Sequence, residues 1–151
     1  MGKKVISVNK KAFHEYNIFD KYTAGIVLQG TEIKSIRQNA VNLKDSFCKI
    51  ENNELFLYQC HISPYKQGNR YNHQETRVRK LLLKKSEILK ILGKIKKENY
   101  AIIPIELFLM NGFAKLEIAL SKGKKLYDKR NDIAKKDQNR DIARIIKSKN
   151  R

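Results

Sequence analysis

The sequence predicts a mainly β protein, in which a small antiparallel barrel carries flanking helices and a basic C-terminal tail. Segments with strand-like alternation follow one another through most of residues 1–120, and short turn sequences connect several of them. One long amphipathic segment interrupts these strands and indicates a helix. Small barrels of the oligonucleotide-binding type have this length and pattern, and a mixed sheet with helices on one face is the alternative.

The first predicted strand covers residues 16–28, where every second residue is apolar or small except Asp20. Gly30 ends this alternation, and Thr31 is a candidate N-cap for a short helix over residues 32–37. Ile33 and Ile36 share one face of that segment, as in an amphipathic helix.

Two further strands are predicted over residues 41–51 and 54–62, which are rich in strand-forming residues. Asn52 and Asn53 between them tolerate the positive φ angles of a tight hairpin. Residues 63–79 are polar and show no periodicity, so they predict a loop. Seventeen residues is long for a loop in a compact domain, which favours a working role.

A helix is predicted after this loop, with Ser86 as its N-cap and a stop at Asn99. Its apolar residues stand at i, i+3, i+4 and i+7, and lysines occupy the opposite face. A hairpin follows, in which a type I′ Asn-Gly turn at residues 111–112 joins strands over 100–110 and 113–120. Pro104 predicts an edge or a bulge in the first of these two strands.

The charge of the chain is strongly unbalanced, with 33 Lys and Arg against 15 Asp and Glu and a formal net charge of +18. A compact domain with this charge suffers self-repulsion that an anionic partner relieves, so the composition favours nucleic acid or an anionic membrane surface. No apolar run reaches the roughly 18 residues that a membrane-spanning helix needs. The N-terminus has no secretory signal, and we expect a cytoplasmic protein.

Residues 121–151 differ in composition and are predicted to be a basic tail, separate from a barrel over residues 1–120. The tail carries 12 basic and 4 acidic side chains, against 21 and 11 in the barrel. Several like charges stand four residues apart in the tail, so a helix there has little local support. We expect the tail to be disordered in the free protein and helical against a polyanion, with a plain charged appendage as the alternative.

The sequence contains none of the common catalytic or cofactor motifs. It has no phosphate-binding G-x-x-x-x-G-K-[ST] loop, no dinucleotide fingerprint, no G-x-S-x-G elbow and no H-E-x-x-H pair. The two cysteines and three histidines are scattered, without the spacing of a zinc site. These absences predict a protein that is not an enzyme and that needs no metal or cofactor.

Two segments have the residue types of a nucleic-acid interface. In the predicted loop, tyrosines at positions 65 and 71 alternate with cations at 66 and 70, a mixture that can stack on bases and contact phosphates. A solvated loop whose tyrosines pack on the barrel explains this segment equally well. Five cations within the next nine residues favour phosphate contact: Arg77, Arg79, Lys80, Lys84 and Lys85.

Five motifs, in the same order and spacing, resemble the bacterial SsrA-binding protein (SmpB) family over nearly the whole chain. They read GTEIKSIR from residue 30, NLKDS from 42, HISPY from 61, RKLLL from 79 and ALSKGKKLYDKR from 119. The resemblance implies an antiparallel barrel of the oligonucleotide-binding kind. It also implies an adaptor that binds the tRNA-like domain of transfer-messenger RNA and delivers it to stalled ribosomes.

The resemblance further implies a division of work between barrel and tail. The barrel would hold the RNA, and the tail would enter the decoding centre and message channel of the small ribosomal subunit and become helical there. Tyr127 stands at a position whose ring would stack on a ribosomal RNA base. Thr23 stands where family members commonly carry Glu. A general basic RNA-binding or ribosomal protein is the alternative.

The candidate site residues come from the basic and aromatic segments and from the resemblance together. The candidate RNA-binding residues are Asn9, Thr23, Lys34, Arg37, Tyr65, Asn69, Arg70, Arg79, Lys80, Leu82, Lys115, Lys122 and Lys124. The candidate ribosome-binding residues, all in the tail, are Tyr127, Asp128, Lys129, Arg130, Lys135, Lys136, Arg140, Ile145 and Ile146.

Overall fold

The computed structural model describes residues 2–66 and 72–124. In these two ranges the chain forms nine β-strands and three α-helices. The strands are β1 (Lys3–Val8), β2 (Tyr16–Ile26), β3 (Val41–Asn42), β4 (Phe47–Glu51), β5 (Glu54–Tyr58), β6 (His61–Ile62), β7 (Arg79–Leu82), β8 (Ala101–Met110) and β9 (Phe113–Gly123). The helices are α1 (Lys10–Glu15), α2 (Gly30–Arg37) and α3 (Lys85–Lys97).

Six of the strands pair in a circuit, which confirms the predicted mainly β, barrel-like fold. Around the circuit the order is β8, β4, β5, β7, β2 and β9, and β9 pairs again with β8. All of these pairings are antiparallel. The link between β4 and β8 is the shortest, because only Cys48 and Ile102 are paired there. β1 extends the sheet beside β8, and β3 pairs separately with β6.

The core lies inside this circuit, where inward-facing side chains of the strands meet the apolar faces of the helices. Ala24, Leu57 and Leu116 are fully buried there. Ile36 of α2 and Ile91 of α3 belong to the same cluster. Truncating a buried Leu or Ile to Ala typically destabilises a protein by about 2–5 kcal/mol, so apolar packing anchors both helices to the barrel.

Both predicted tight hairpins are confirmed by their backbone angles. Asn52 and Asn53, between β4 and β5, have φ angles of 51° and 62°. Asn111 and Gly112, between β8 and β9, have φ angles of 53° and 83°. Two successive positive φ angles are the mark of the type I′ turn. The bulge predicted at Pro104 is also present, since the β8–β9 register shifts directly after it.

Each of the two strands predicted over residues 41–51 and 54–62 is divided into two shorter ones. Asp45 has a φ angle of 63° and lies between β3 and β4. Gln59 has a φ angle of 62° and lies between β5 and β6. An extended strand does not pass through a residue in the left-handed region. Because neither residue is glycine, the sequence does not mark these interruptions.

The two predicted helices are confirmed, but each begins two residues earlier than expected. Thr31 and Ser86 lie inside α2 and α3 rather than capping them. At the start of α2, Glu32 accepts the backbone N–H of Gln29 at 2.7 Å. Glu87 accepts a backbone N–H in the same way at the start of α3, at 3.2 Å. An acid in the first turn therefore takes the place of the predicted hydroxyl caps.

Three described elements have no counterpart among the predicted ones. β1 is largely exposed, α1 has only six residues, and β7 begins at Arg79, the last residue of the predicted loop. In addition, β9 continues to Gly123 and pairs with β2 as far as Tyr16. The barrel therefore extends beyond residue 120, where the sequence placed its end.

Candidate nucleic-acid interface

A row of three residues crosses the outer surface of the barrel where β7, β2 and β9 lie side by side. Gly25 on β2 is paired with Leu82 on β7 and with Lys115 on β9. Residues paired in this way in neighbouring strands project from the same face of a sheet. The strand register therefore brings together Leu82 and Lys115, which the sequence marked separately as RNA-binding residues.

Gly25 keeps the middle of this row open. A Cβ atom built on Gly25 would lie 3.4 Å from the Cβ of Leu82, already in contact with it. Leu82 is a large apolar side chain that is nevertheless 52% exposed. The glycine thus leaves a shallow floor between an exposed apolar group and a lysine.

The row is the floor of a groove with a volume of about 390 Å³. One wall is α2, through Ile33 and Arg37, and the other is the tip of the β8–β9 hairpin, through Gly112 and Phe113. Phe113 is 70% exposed. An exposed aromatic ring beside cations is a combination that RNA-binding proteins use to stack on bases and contact phosphates.

The cations that line the groove are available to an external anion. Neither Arg37 nor Lys115 forms an ion pair with any acidic side chain in the part of the chain that the structure describes. Lys80 lies on the same face of β7 as Leu82, but its Nζ is 2.5 Å from Oε2 of Glu54. A phosphate that contacts Lys80 must first displace Glu54, so Lys80 is less available to an external anion than Arg37 and Lys115.

Lys34 and Tyr65 extend this surface along α2. Lys34 precedes Arg37 by three residues, so the two are neighbours on the helix surface. The Nζ of Lys34 lies 5.5 Å from the ring centroid of Tyr65, within the range of a cation–π contact. Asn72 holds Tyr65 in place, because its Oδ1 accepts the Tyr65 N–H at 3.0 Å and its Nδ2 donates to the Tyr65 carbonyl.

Arg79, which the sequence marked as an RNA-binding residue, is buried. Its side chain has no exposed surface, and its guanidinium donates to Oε2 of Glu32 at 2.6 Å and to the carbonyl of Cys60 at 2.7 Å. Arg77 donates to the other oxygen of Glu32, also at 2.6 Å. Because a phosphate cannot reach Arg79, the prediction of a direct RNA contact is wrong, and the residue ties β7 to α2.

The Glu32 carboxyl at the centre of this network is itself fully buried. Burial alone raises the pKa of Glu32. Hydrogen bonds from Arg77, from the Gln29 backbone and from Arg79 outweigh burial and hold that pKa below its ordinary value. The carboxylate is therefore charged at neutral pH and compensated by two guanidinium groups. The network fixes α2, and with it Arg37, beside the groove.

Asn9 lies away from the groove and is also buried. Its Oδ1 accepts the N–H of Ala12 at 3.2 Å and so caps α1. Its Nδ2 donates to the carbonyl of Pro104 at 2.8 Å and to that of Leu43 at 3.3 Å. The side-chain amide is thus used inside the protein. In the described structure Asn9 joins α1 to β8, and its predicted link to RNA binding stays a prediction.

Thr23 is exposed and stands two residues from Gly25, on the same outer face of β2. It is paired with Glu117 on β9, and Glu117 stands two residues from Lys115. Thr23 and Glu117 therefore form the row next to the floor of the groove. The chain has a carboxylate beside the groove, but it is carried by β9 rather than by β2.

Lys122 lies at the other end of β9 and Lys124 directly follows the strand, seven and nine residues from Lys115, which is roughly 20 Å or more along an extended chain. Lys122 forms an ion pair with Glu98 at 3.1 Å, and its Nζ lies 4.9 Å from the ring centroid of Tyr100. The structure therefore does not bring these two lysines into the groove.

The remaining predicted site residues lie outside the described residues. They are Asn69 and Arg70 of the loop and the tail residues Tyr127, Asp128, Lys129, Arg130, Lys135, Lys136, Arg140, Ile145 and Ile146. Their roles stay predictions.

Two groove residues, Gly25 and Phe113, were missed by the sequence reasoning. Phe113 directly follows the Asn-Gly turn, and a large aromatic at the tip of a tight hairpin is a signal that could have identified it. Gly25 carries no such signal, because its importance depends on which residues the neighbouring strands place beside it.

The described residues offer little for other kinds of site. No group of three or more His, Cys, Asp or Glu side chains in residues 2–66 and 72–124 is placed to hold a metal ion. Cys48 and Cys60 are free, and burial raises the pKa of both thiols, to about 11 for Cys60. Such thiols are poor nucleophiles at neutral pH. None of the described helices is both long enough and apolar enough to cross a membrane.

Comparison with known proteins identifies the family. The family described as SmpB protein matches residues 6–148. The chain belongs to the SmpB family. The SsrA-binding protein of Halothermothrix orenii is 58% identical over 148 residues, covering 98% of this chain and 96% of that protein. The SsrA-binding protein of Bacillus pumilus is 58% identical over 146 residues, covering 97% and 94%. The resemblance inferred from the five motifs is confirmed.

A solved structure is similar to this SmpB-family chain as well. It is described as "tmRNA-SmpB: a journey to the center of the bacterial ribosome", and the aligned part is 39% identical with a TM-score of 0.66. The alignment covers 79% of this chain and 84% of the other. The likeness therefore extends to both sequence and fold.

Proposed function

We propose that this SmpB-family chain is an RNA-binding adaptor that binds the tRNA-like domain of transfer-messenger RNA and delivers it to stalled ribosomes. The observation that carries the proposal is the groove around Gly25, where Leu82, Lys115, Arg37 and Phe113 converge. The SsrA-binding proteins among its relatives and the similar tmRNA–SmpB structure support the same partner.

Each groove residue has a separate task in this proposal. Lys115 contacts one phosphate as a point charge, and Arg37 offers its planar fork to another. Phe113 stacks on an unpaired base, and exposed Leu82 gives an apolar surface to a ribose or base. Such contacts recognise the shape of a folded RNA rather than a base sequence.

The tail has the second task. In this proposal, tail residues from Tyr127 to Ile146 bind the decoding centre and message channel of the small subunit, where the cationic segment becomes helical. The phosphates of ribosomal RNA neutralise the basic side chains of the tail, which outnumber its own acidic residues. The chain then joins two RNA surfaces and carries out no chemistry of its own.

Competition by bulk tRNA tests the RNA partner. We expect labelled transfer-messenger RNA to stay bound when bulk tRNA is added at equal mass, because groove contacts add to the general attraction of phosphates. Equal competition would favour a general basic RNA-binding or ribosomal protein. A footprint of the protein on transfer-messenger RNA would show whether the protected nucleotides lie in the tRNA-like domain.

Truncation before Asp128 tests the division between barrel and tail. The shortened chain should bind transfer-messenger RNA as the full chain does, because the groove residues are untouched. Rescue of stalled ribosomes in a reconstituted translation assay should be lost. Equal loss of both activities would show instead that the tail belongs to the RNA site.

A further inference from the structure

A second cavity, of about 620 Å³, is lined by residues that do not line the groove around Gly25. It lies where β4 and β8 share their single residue pair, and its walls come from α1, β4, α3 and the start of β8. Much of its lining is apolar and includes Phe47, Ile50, Leu92, Ile95 and Ile102. An apolar opening of this size on a protein surface is a candidate docking site for an apolar group.

The described chain ends at the rim of this cavity. Gly123 is paired with Tyr16, and the backbone N–H of Lys124 donates to the carbonyl of Glu15 at 2.8 Å. Both Tyr16 and Glu15 line the cavity. The Nζ of Lys124 also donates to the carbonyl of Phe13 at 3.3 Å. These bonds fix the position of Lys124, the residue from which the chain continues into residues 125–151, next to the opening.

The first residues after Lys124 suit such an opening. Between Lys124 and Ile133, the only large apolar residues in the sequence are Leu126 and Tyr127. They are two and three residues from Lys124, so at most roughly 10 Å of chain separates them from that fixed point. A tether this short gives an effective concentration on the order of millimolar, which populates even a weak contact.

The charge at the rim also suits this segment. Lys11 and Lys49 are balanced there by Glu15 and Asp45, and Lys11 is paired with Asp45 at 2.5 Å. Residues 125–151 carry 10 basic and 4 acidic side chains. A rim without net charge repels this segment less than the cationic groove does.

We propose that this cavity holds Leu126 and Tyr127 of the same chain in the RNA-free protein, so that the tail is attached at its root. Only these two side chains dock, and the rest of the tail extends beyond the rim. A consequence, which rests on the proposed function, is that the ring of Tyr127 is withheld from ribosomal RNA until the ribosome displaces it. The docking itself is measured without RNA, so its failure leaves the proposed function untouched.

Tryptophan fluorescence of the full-length protein tests the docking. The chain has no tryptophan, so Tyr127→Trp introduces a single reporter. We expect its emission to lie at shorter wavelength, and its quenching by acrylamide to be weaker, than in the matched variant Ile146→Trp near the end of the tail. Identical emission and quenching in the two variants would overturn the proposal.

A substitution in the cavity wall shows whether the reporter sits in this cavity. Adding Leu92→Lys to Tyr127→Trp should raise quenching to the level of Ile146→Trp. Leu89→Lys, at an exposed position of the same helix, should leave quenching unchanged. Thermal melts by circular dichroism identify variants that do not fold. No effect of Leu92→Lys in a folded variant would overturn the proposal.

Two further measurements test the docking without relying on Leu92→Lys. In the full chain, Leu126→Ser with Tyr127→Ser should shift the amide resonances of Ile50 and Ala101 at the cavity and leave that of Gly25 in place. Unmoved cavity resonances would contradict docking. The fluorescence of Tyr127→Trp should not depend on protein concentration, because a concentration-dependent blue shift would assign the cavity to a second copy of the chain.

Discussion

The two ends of β9 carry the same kinds of side chain in different surroundings. At one end, Lys115 and the exposed ring of Phe113 line the groove. At the other end, Lys122 lies over the ring of Tyr100, and Phe19 packs edge-on against the same ring at 5.4 Å between centroids. Phe19 is itself 46% exposed. By residue type alone, both ends qualify as nucleic-acid surfaces.

A nearby acid distinguishes the two ends. Glu98 pairs with Lys122 at 3.1 Å, and hydrogen bonds from Tyr100 and Lys122 hold the pKa of Glu98 below its ordinary value. Lys115 has no such ion pair with the described part of the chain. A phosphate near Lys122 must compete with a carboxylate already in place. A lysine among aromatic side chains therefore favours RNA binding only where no carboxylate of the protein is paired with that lysine.

The largest expected effect concerns the buried ion pairs of Glu32 with Arg77 and Arg79, which hold α2 beside the groove. The described residues around Lys122 form no buried network of this kind. Glu32→Gln leaves Arg79 buried without its charge partner, which typically costs about 3–5 kcal/mol in the free energy of unfolding. Denaturant unfolding measures this loss. The control Glu54→Gln breaks the exposed pair with Lys80 and should cost less than about 1 kcal/mol. Similar small losses in both variants would contradict the anchoring role of Glu32.

The same network predicts a dependence of stability on pH. The pKa of Glu32 is held below its ordinary value of 4.5, so its ion pairs add stability above that value. As the pH falls from 4.5 through the lower pKa of the folded state, this contribution is lost. Unfolding midpoints measured across this range should fall more steeply in the unsubstituted protein than in Glu32→Gln. Parallel curves would show that Glu32 does not titrate in this way.

Two exposed phenylalanines test the comparison directly. Phe113→Ala removes a ring proposed to stack on a base, and such losses are about 1–3 kcal/mol, or roughly 5- to 150-fold in the dissociation constant. Phe19→Ala removes an equally large ring at the other end and should leave binding to transfer-messenger RNA unchanged. Filter binding or fluorescence anisotropy measures both. Equal losses would show that RNA covers both ends of β9.

The two lysines at the ends of β9 provide a smaller and more specific test. Lys115→Ala should weaken RNA binding and reduce the slope of log affinity against log salt by about one, because one phosphate contact is lost. Lys122→Ala should leave this slope unchanged, since Lys122 is already neutralised by Glu98. Binding isotherms at several salt concentrations give both slopes. An unchanged slope for Lys115→Ala would remove this residue from the interface.

The smallest expected effect concerns the row beside the groove. Thr23→Glu places a carboxylate opposite Glu117, and like charges in paired positions destabilise a sheet by roughly 0.2–1 kcal/mol. Glu117 is also paired with Glu106, so the reference is Glu117→Ala alone, and adding Thr23→Glu to it should cause no such loss in thermal unfolding. An equal loss from Thr23→Glu with and without Glu117 would show that the two positions do not interact.

The local features of the chain followed from sequence wherever a short pattern suffices. The Asn-Gly turn at residues 111–112, the bulge at Pro104 and the amphipathic faces of α2 and α3 depend on residues near one another in the chain. The divisions at Asp45 and Gln59 did not follow, because non-glycine residues adopt positive φ angles there. Arg79 was misjudged for a related reason. An arginine in a basic run is expected to be exposed, and only a distant Glu32 compensates it in the core.

The mainly β class, the strongly basic character and the membership of the SmpB family can be inferred from the linear chain, because they depend on composition and motif spacing. Which of the many cations are available to an external phosphate depends on the folded structure. The pairing of β2 with both β7 and β9 places Leu82 and Lys115 around Gly25, whereas Arg79 and Lys122 meet carboxylates. Whether a cation is free depends on distant residues, and folding alone brings those into contact.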